Sequence, residues 1–132
     1  MPNRTSNLKQ IRPTIASAVI HESMSDDERF QNATLRPIIK FQNDLLIAVF
    51  KVYIEKRKGV FYELTLPKKV DYITHALQKD TKLRNAIKGM IIGHFTIEEY
   101  ANYIKNSSAL NKRLIGIVKE RLISAIQLLN GE

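Results

Sequence analysis

Between Ile38 and Lys58, apolar residues recur on two adjacent helical stripes. Ile38, Phe41, Leu45, Val49 and Val52 form one; Ile39, Leu46, Phe50 and Tyr53 form the next. Together they cover well over ~100° of a helix, which predicts a central helix packed on more than one side. Lys56, Arg57 and Lys58 suit its last turn, where cations favour the dipole, and Gly59 suits its end. Upstream, Ser25-Asp26-Asp27-Glu28 reads as a capping box, so a helix starts there. Pro37 must then break that helix at Arg36 or kink it.

Downstream, Val60 to Leu66 is apolar and short. One isolated strand cannot form a sheet, so this stretch is expected to be a packed linker. Thr65, with Pro67 in the first turn, opens a helix whose apolar face is Val70, Ile73 and Leu77. Asp80 caps the next, with Leu83, Ile87 and Met90 or Ile91 inward and Gly93 at its end. Thr96-Ile97-Glu98-Glu99 is a second capping box, and its helix stops near Asn106 and Ser107. A last helix runs from about Ala109 to Leu129, with Ile115, Val118, Leu122, Ile126 and Leu129 as its stripe and Gly131 closing it. Gly89 and Gly116 interrupt helices at some cost in stability. The expectation is that each lets a neighbouring helix come close; the other reading is a backbone contact with a ligand.

Residues 1–24 lack a helical period and carry Pro2 and Pro13. They are expected to be an extended arm whose Ile11, Ile15, Val19 and Ile20 lie on the body or on a neighbouring subunit. The prediction is an all-α protein: a compact bundle of about five or six helices over 25–132, preceded by an extended N-terminal arm over 1–24.

Composition narrows the chemistry. The 132-residue length fits one domain, and 44% hydrophobic residues suffice for a core. Without cysteine there is no disulfide, thiolate metal site, iron–sulfur cluster or cysteine nucleophile. The most apolar run, Leu45 to Phe50, is far short of a membrane span, and no secretory signal is visible, so no membrane association is expected and the cytoplasm is the default location.

The three histidines, His21, His75 and His94, do not share the spacing of a helical zinc pair. His94 and Glu98 are four apart but straddle a helix junction, so His94 is expected to pack at a helix start, and no metal or cofactor is implied. No P-loop, dinucleotide fingerprint or nucleophile elbow occurs. Arg36, Lys40 and Asp44 could form a polar cluster where Gln42 and Asn43 interrupt the long apolar helix.

The net charge of +8 is the more suggestive feature. Lys79, Lys82, Arg84 and Lys88 form one basic run; Lys112, Arg113, Lys119 and Arg121 form another. Arg84, Lys88, Lys112, Arg113 and Lys119 are candidate anion ligands, provided the two helices are neighbours, against the alternative of a solvated basic face.

The phrases Asp27-Glu28-Arg29-Phe30-Gln31-Asn32, Leu35-Arg36-Pro37-Ile38-Ile39-Lys40, Gly93-His94-Phe95-Thr96-Ile97-Glu98-Glu99-Tyr100 and Ser108-Ala109-Leu110-Asn111-Lys112-Arg113 resemble a small family of short bacterial helical proteins, sometimes labelled glyoxalase. The resemblance spans nearly the whole chain and implies a helical fold. It carries over no catalytic residue, and the chain has too few histidines for the dinuclear site that one class of glyoxalase uses.

The leading functional expectation is a non-enzymatic helical interaction module that associates into a homodimer through the arm or its two longest helices. The alternative is a binder of nucleic acid or another polyanion, weak, sequence-independent and lost near physiological salt. An enzyme of unknown reaction comes third.

Overall fold

The structure, a computed structural model, describes residues 3–15 and 19–130. Met1, Pro2 and Ala16 to Ala18 of the arm, and Gly131 at the end of the last helix, lie outside the described residues.

The fold is all-α, with no strand among the described residues. Helix α1 spans Arg4–Ile11, α2 Asp26–Phe30, α3 Arg36–Phe41 and α4 Asn43–Lys56. They are followed by α5 (Leu66–Lys79), α6 (Thr81–Ile92), α7 (Ile97–Tyr103) and α8 (Ser107–Ser124). None of these helices is long and apolar enough to cross a membrane.

Pro37 neither breaks nor sharply ends its helix. A π-turn, Gln31–Leu35, joins α2 to α3, and the Arg36 amide donates to Gln31 O, one residue further back than in an α-helix. The wider turn makes room for a ring that has no N–H to offer and would otherwise crowd the preceding carbonyl. Between α4 and α5 the linker is a 3₁₀ turn, Val60–Glu63, that buries Phe61 completely. Lys58 and Gly59 both adopt left-handed backbone there, at φ 62° and 64°, and the Gly59 amide closes α4 on Ile54 O at 3.1 Å.

The caps follow the sequence in part: at Ser25 the Glu28 carboxylate accepts from the Ser25 hydroxyl at 3.4 Å and does not close a reciprocal box on the Ser25 amide. Ser25 Oγ accepts from the Glu28 amide, Asp80 Oδ1 from the Leu83 amide, and Thr96 with Glu99 completes a reciprocal capping box. Thr65 occupies its cap position without a side-chain hydrogen bond.

Two expectations are corrected. The arm is not wholly extended: α1 forms, its N-terminus capped by Asn3, although it buries none of its residues. Nor is the helix after Ile38 the central one. That place belongs to α8, which packs against α3, α4, α5 and α6 and buries Leu110, Leu114, Ile117, Val118 and Leu122. Burying each such side chain contributes ~1.5–3 kcal/mol. α4 is buried along one side only, through its own Leu46, Ile47, Phe50 and Ile54. The other predicted stripe is divided: Ile38 is fully buried and Val49 packs partly against the core, whereas Phe41 at the end of α3 is 44% exposed and Leu45 and Val52 on α4 are 50% and 49%.

A candidate anion-binding cleft

α5, α6 and α8 pack on one another and leave a cleft of about 510 Å³ along their shared face. Each helix contributes by its spacing. α5 supplies Thr74, Leu77 and Gln78; α6 supplies Arg84 and Lys88, one turn apart; α8 supplies Asn111, Lys112, Ile115, Gly116 and Lys119. The rise of ~1.5 Å per residue sets Arg84 and Lys88 ~6 Å apart along one wall, and Lys112 and Lys119 ~10 Å apart along the other. The floor is apolar, formed by Leu77 and Ile115. None of the described residues lining the cleft is acidic.

Four of the five residues singled out as anion ligands therefore share one cleft. Of the nearby carboxylates, Glu120 is exposed one turn beyond Gly116 on α8, outside the lining, and Asp80 is engaged at the start of α6. Asp80 accepts from the Leu83 amide, from Tyr53 Oη and from Arg57 Nη2 at 2.8 Å, and lines another depression. The Leu83 amide, above all, holds its carboxyl below the usual range. Arg84 is anchored at the rim by donating to Gln78 O at the end of α5. Asn111 is oriented from α7, whose Tyr103 hydroxyl donates to its Oδ1 at 2.6 Å.

The fifth residue does not join them: Arg113 points the other way and donates to Gln31 at 2.9 Å. Lys79 and Lys82 line a separate, shallow depression with His75 and Asp80, and Arg121 donates to Asn43. The proposed polar cluster also fails to assemble. Arg36 donates to Asn32, Lys40 reaches Thr14 O at 3.5 Å, and the exposed Asp44 accepts only from Asn43. The reason is local: α3 ends at Phe41, and Gln42 (φ −86°, ψ 3°) interrupts the regular turn between Lys40 and Asp44.

The glycines reverse their expectation. A Cβ at Gly116 or at Gly89 would have no heavy atom within 4 Å beyond its own helix backbone, among the described residues. Neither glycine exists to let another helix approach. Each still weakens its helix by ~1 kcal/mol relative to alanine. Gly116 opens onto the cleft; Gly89 lies outside it.

A second polar centre ties the arm to the body. Arg12 makes a bidentate pair with Glu99, at 2.7 and 2.6 Å, and also donates to His94 O at 2.8 Å. Glu99 accepts further from the Thr34 hydroxyl at 3.0 Å and the Thr96 amide at 2.9 Å. Burial alone would raise the Glu99 pKa. Arg12, the Thr96 amide and the Thr34 hydroxyl outweigh it and hold the carboxyl below the usual range. Arg4 adds hydrogen bonds to Phe95 O and Gly93 O. The His94 ring stacks obliquely on Phe41, and burial, with Arg12 and Arg4 near, lowers its pKa. Among the described residues, no three His, Asp or Glu side chains are grouped as metal ligands.

Sequence reasoning missed this centre and the α5 wall of the cleft. The α5 residues were detectable in principle, since Thr74, Leu77 and Gln78 follow i, i+3, i+4 spacing. Compared with family models, curated proteins and solved structures, the chain finds no match.

Proposed function

We propose that this protein is a binding module for phosphate-bearing anions, with the cleft between α5, α6 and α8 as its site. One observation carries the reading: Arg84 and Lys88 from one helix and Lys112 and Lys119 from another line a single cleft with no acidic residue among its lining. Arg84, Lys88 and Lys119 are partly buried beside an apolar floor, where a lower dielectric strengthens the attraction for an anion, and the exposed Lys112 adds its charge at the mouth. The lining holds no histidine or carboxylate to move a proton, which favours binding over turnover.

Titration calorimetry with inorganic tripolyphosphate tests it. Binding in the micromolar range at low salt is expected, weakening steeply as salt rises. Lys112→Glu should lower affinity at least tenfold, whereas Lys82→Glu, outside the cleft, should lower it far less. Equal losses from the two substitutions would show only a diffuse charge effect and would refute the site.

A second reading, self-association into a homodimer, is favoured by Leu45 and Val52, two turns apart on α4 and each about half exposed. Light scattering should give a dimer mass that Leu45→Glu returns to monomer. A monomer mass for the wild type across a wide concentration range would end this reading.

A further inference from the structure

We infer that the cleft takes a small organic polyphosphate, its phosphates between the Arg84–Lys88 and Lys112–Lys119 walls and its organic body against the α8 backbone at Gly116. The inference rests on the anion-binding reading and goes further, since that reading leaves the size and body of the ligand open.

Gly116 is the key residue. A glycine in mid-helix weakens the helix, and none of the described residues uses the space it leaves. That space lies between Lys112 and Lys119 on the same helix and beside the apolar Ile115. A bare phosphate needs the cations alone. An uncharged body bound alongside needs room at the helix surface, and the missing side chain provides it.

Three further observations separate a small ligand from a nucleic-acid strand. The cleft volume, about 510 Å³, falls within the ~300–1,000 Å³ range of small-molecule sites. Among the described residues no aromatic side chain lines it, so the successive bases of a strand have no row of stacking platforms. The cationic track also stops at its ends: Arg113 is bound to Gln31, Arg121 to Asn43, and Lys79 and Lys82 line another depression. A polymer leaving the cleft would find no continued path of positive charge.

Calorimetry on the full chain at low salt decides the matter with three probes: inorganic tripolyphosphate, adenosine 5′-triphosphate and a short oligothymidylate. Tripolyphosphate carries more charge than the nucleotide, so electrostatics alone would favour it. The nucleotide is expected to bind at least tenfold tighter because its body is also held. Gly116→Leu should abolish that advantage while leaving tripolyphosphate affinity within about twofold, and Gly89→Leu should change neither. Gly116→Ala, the smaller change, serves if circular dichroism shows that the Gly116→Leu protein is not folded. Nucleotide affinity unaltered by substitution at Gly116, or an oligothymidylate that outcompetes the nucleotide, would overturn the inference while leaving the anion site standing. Failure of both tripolyphosphate and nucleotide to bind would remove the anion site itself, and the inference with it.

Discussion

Glu99→Gln isolates what the arm contributes to stability. Glutamine keeps the shape of the side chain and can still accept from the Thr96 amide, so α7 retains its cap. What disappears is the charge facing Arg12. The Arg12 and Glu99 side chains are only 9% and 14% exposed. Removing one partner of a buried pair costs ~3–5 kcal/mol, and the residual exposure of this one places it near the low end, ~3 kcal/mol. With ~2.1 cal/mol/K of unfolding entropy per residue, a chain of 132 residues should lose about 10 °C in Tm. Arg12→Met, which retains the apolar stem, should cost a similar amount. The double variant should be no less stable than the poorer single one, because the pair acts as a unit. Thermal unfolding followed by circular dichroism reads all four proteins. α1 buries no residue of its own, so its attachment rests chiefly on Arg4 and Arg12, with longer hydrogen bonds from Lys40 to Thr14 O and from Asn32 to Val19 O further along the arm. If Arg12→Met moved Tm by less than about 2 °C, the pair would not form in solution and this account of the arm would be wrong.

The same carboxylate sets a pH dependence. Its pKa is depressed in the folded state, so its contribution is complete above the unfolded value of ~4.3 and is lost as pH falls through the lower folded value. Tm should therefore hold steady from about pH 7 to 5.5 and drop below about 4.5, and the drop should be shallower for the Glu99→Gln protein; parallel curves would contradict this. Gly89→Ala places a methyl group in open space on an exposed helix position and should stabilise the fold by ~0.5–1 kcal/mol, a rise of about 2–4 °C in Tm measured by calorimetry. A fall in Tm would mean that Gly89 has a neighbour in solution.

Much of the fold can be read from local chemistry. The caps at Ser25, Asp80 and Thr96 place helix starts to the residue, because each depends on atoms no more than three positions away. The linker over Val60–Glu63 and the stop at Gly59 are local in the same sense. Two errors are local as well, the missed α1 behind its Asn3 cap and the polar cluster that the break at Gln42 prevents; the others are of longer range. α4 carries enough apolar residues for two buried faces, yet which face is covered depends on where α8 runs, and periodicity within α4 cannot reveal that. Glu99 already had an explanation as a capping residue. Nothing in its neighbourhood announced an arginine 87 positions earlier, because a carboxylate has spare acceptor sites whether or not they are used. α1 forms where no helical period exists, since Asn3 starts it and no apolar face is required of a helix held by its polar ends.

The candidate site was half legible for the same reason. Helical spacing alone aligns Arg84 with Lys88, and Lys112 with Lys119, but only the packing of α6 on α8 turns two rows into one cleft. Arg113 shows the limit: it adjoins Lys112 in sequence, yet ~100° of rotation per residue carries it to the face where Gln31 waits. Gly116 marks the opposite case. Its presence in mid-helix was visible from the start, and two explanations competed for it, a close helix neighbour or a ligand. Open space at its Cβ position removes the first. Gly89 has the same open space, so the helix cost alone singles out neither glycine; what distinguishes Gly116 is its place in the cleft between Lys112 and Lys119, which says where an outside contact would be made.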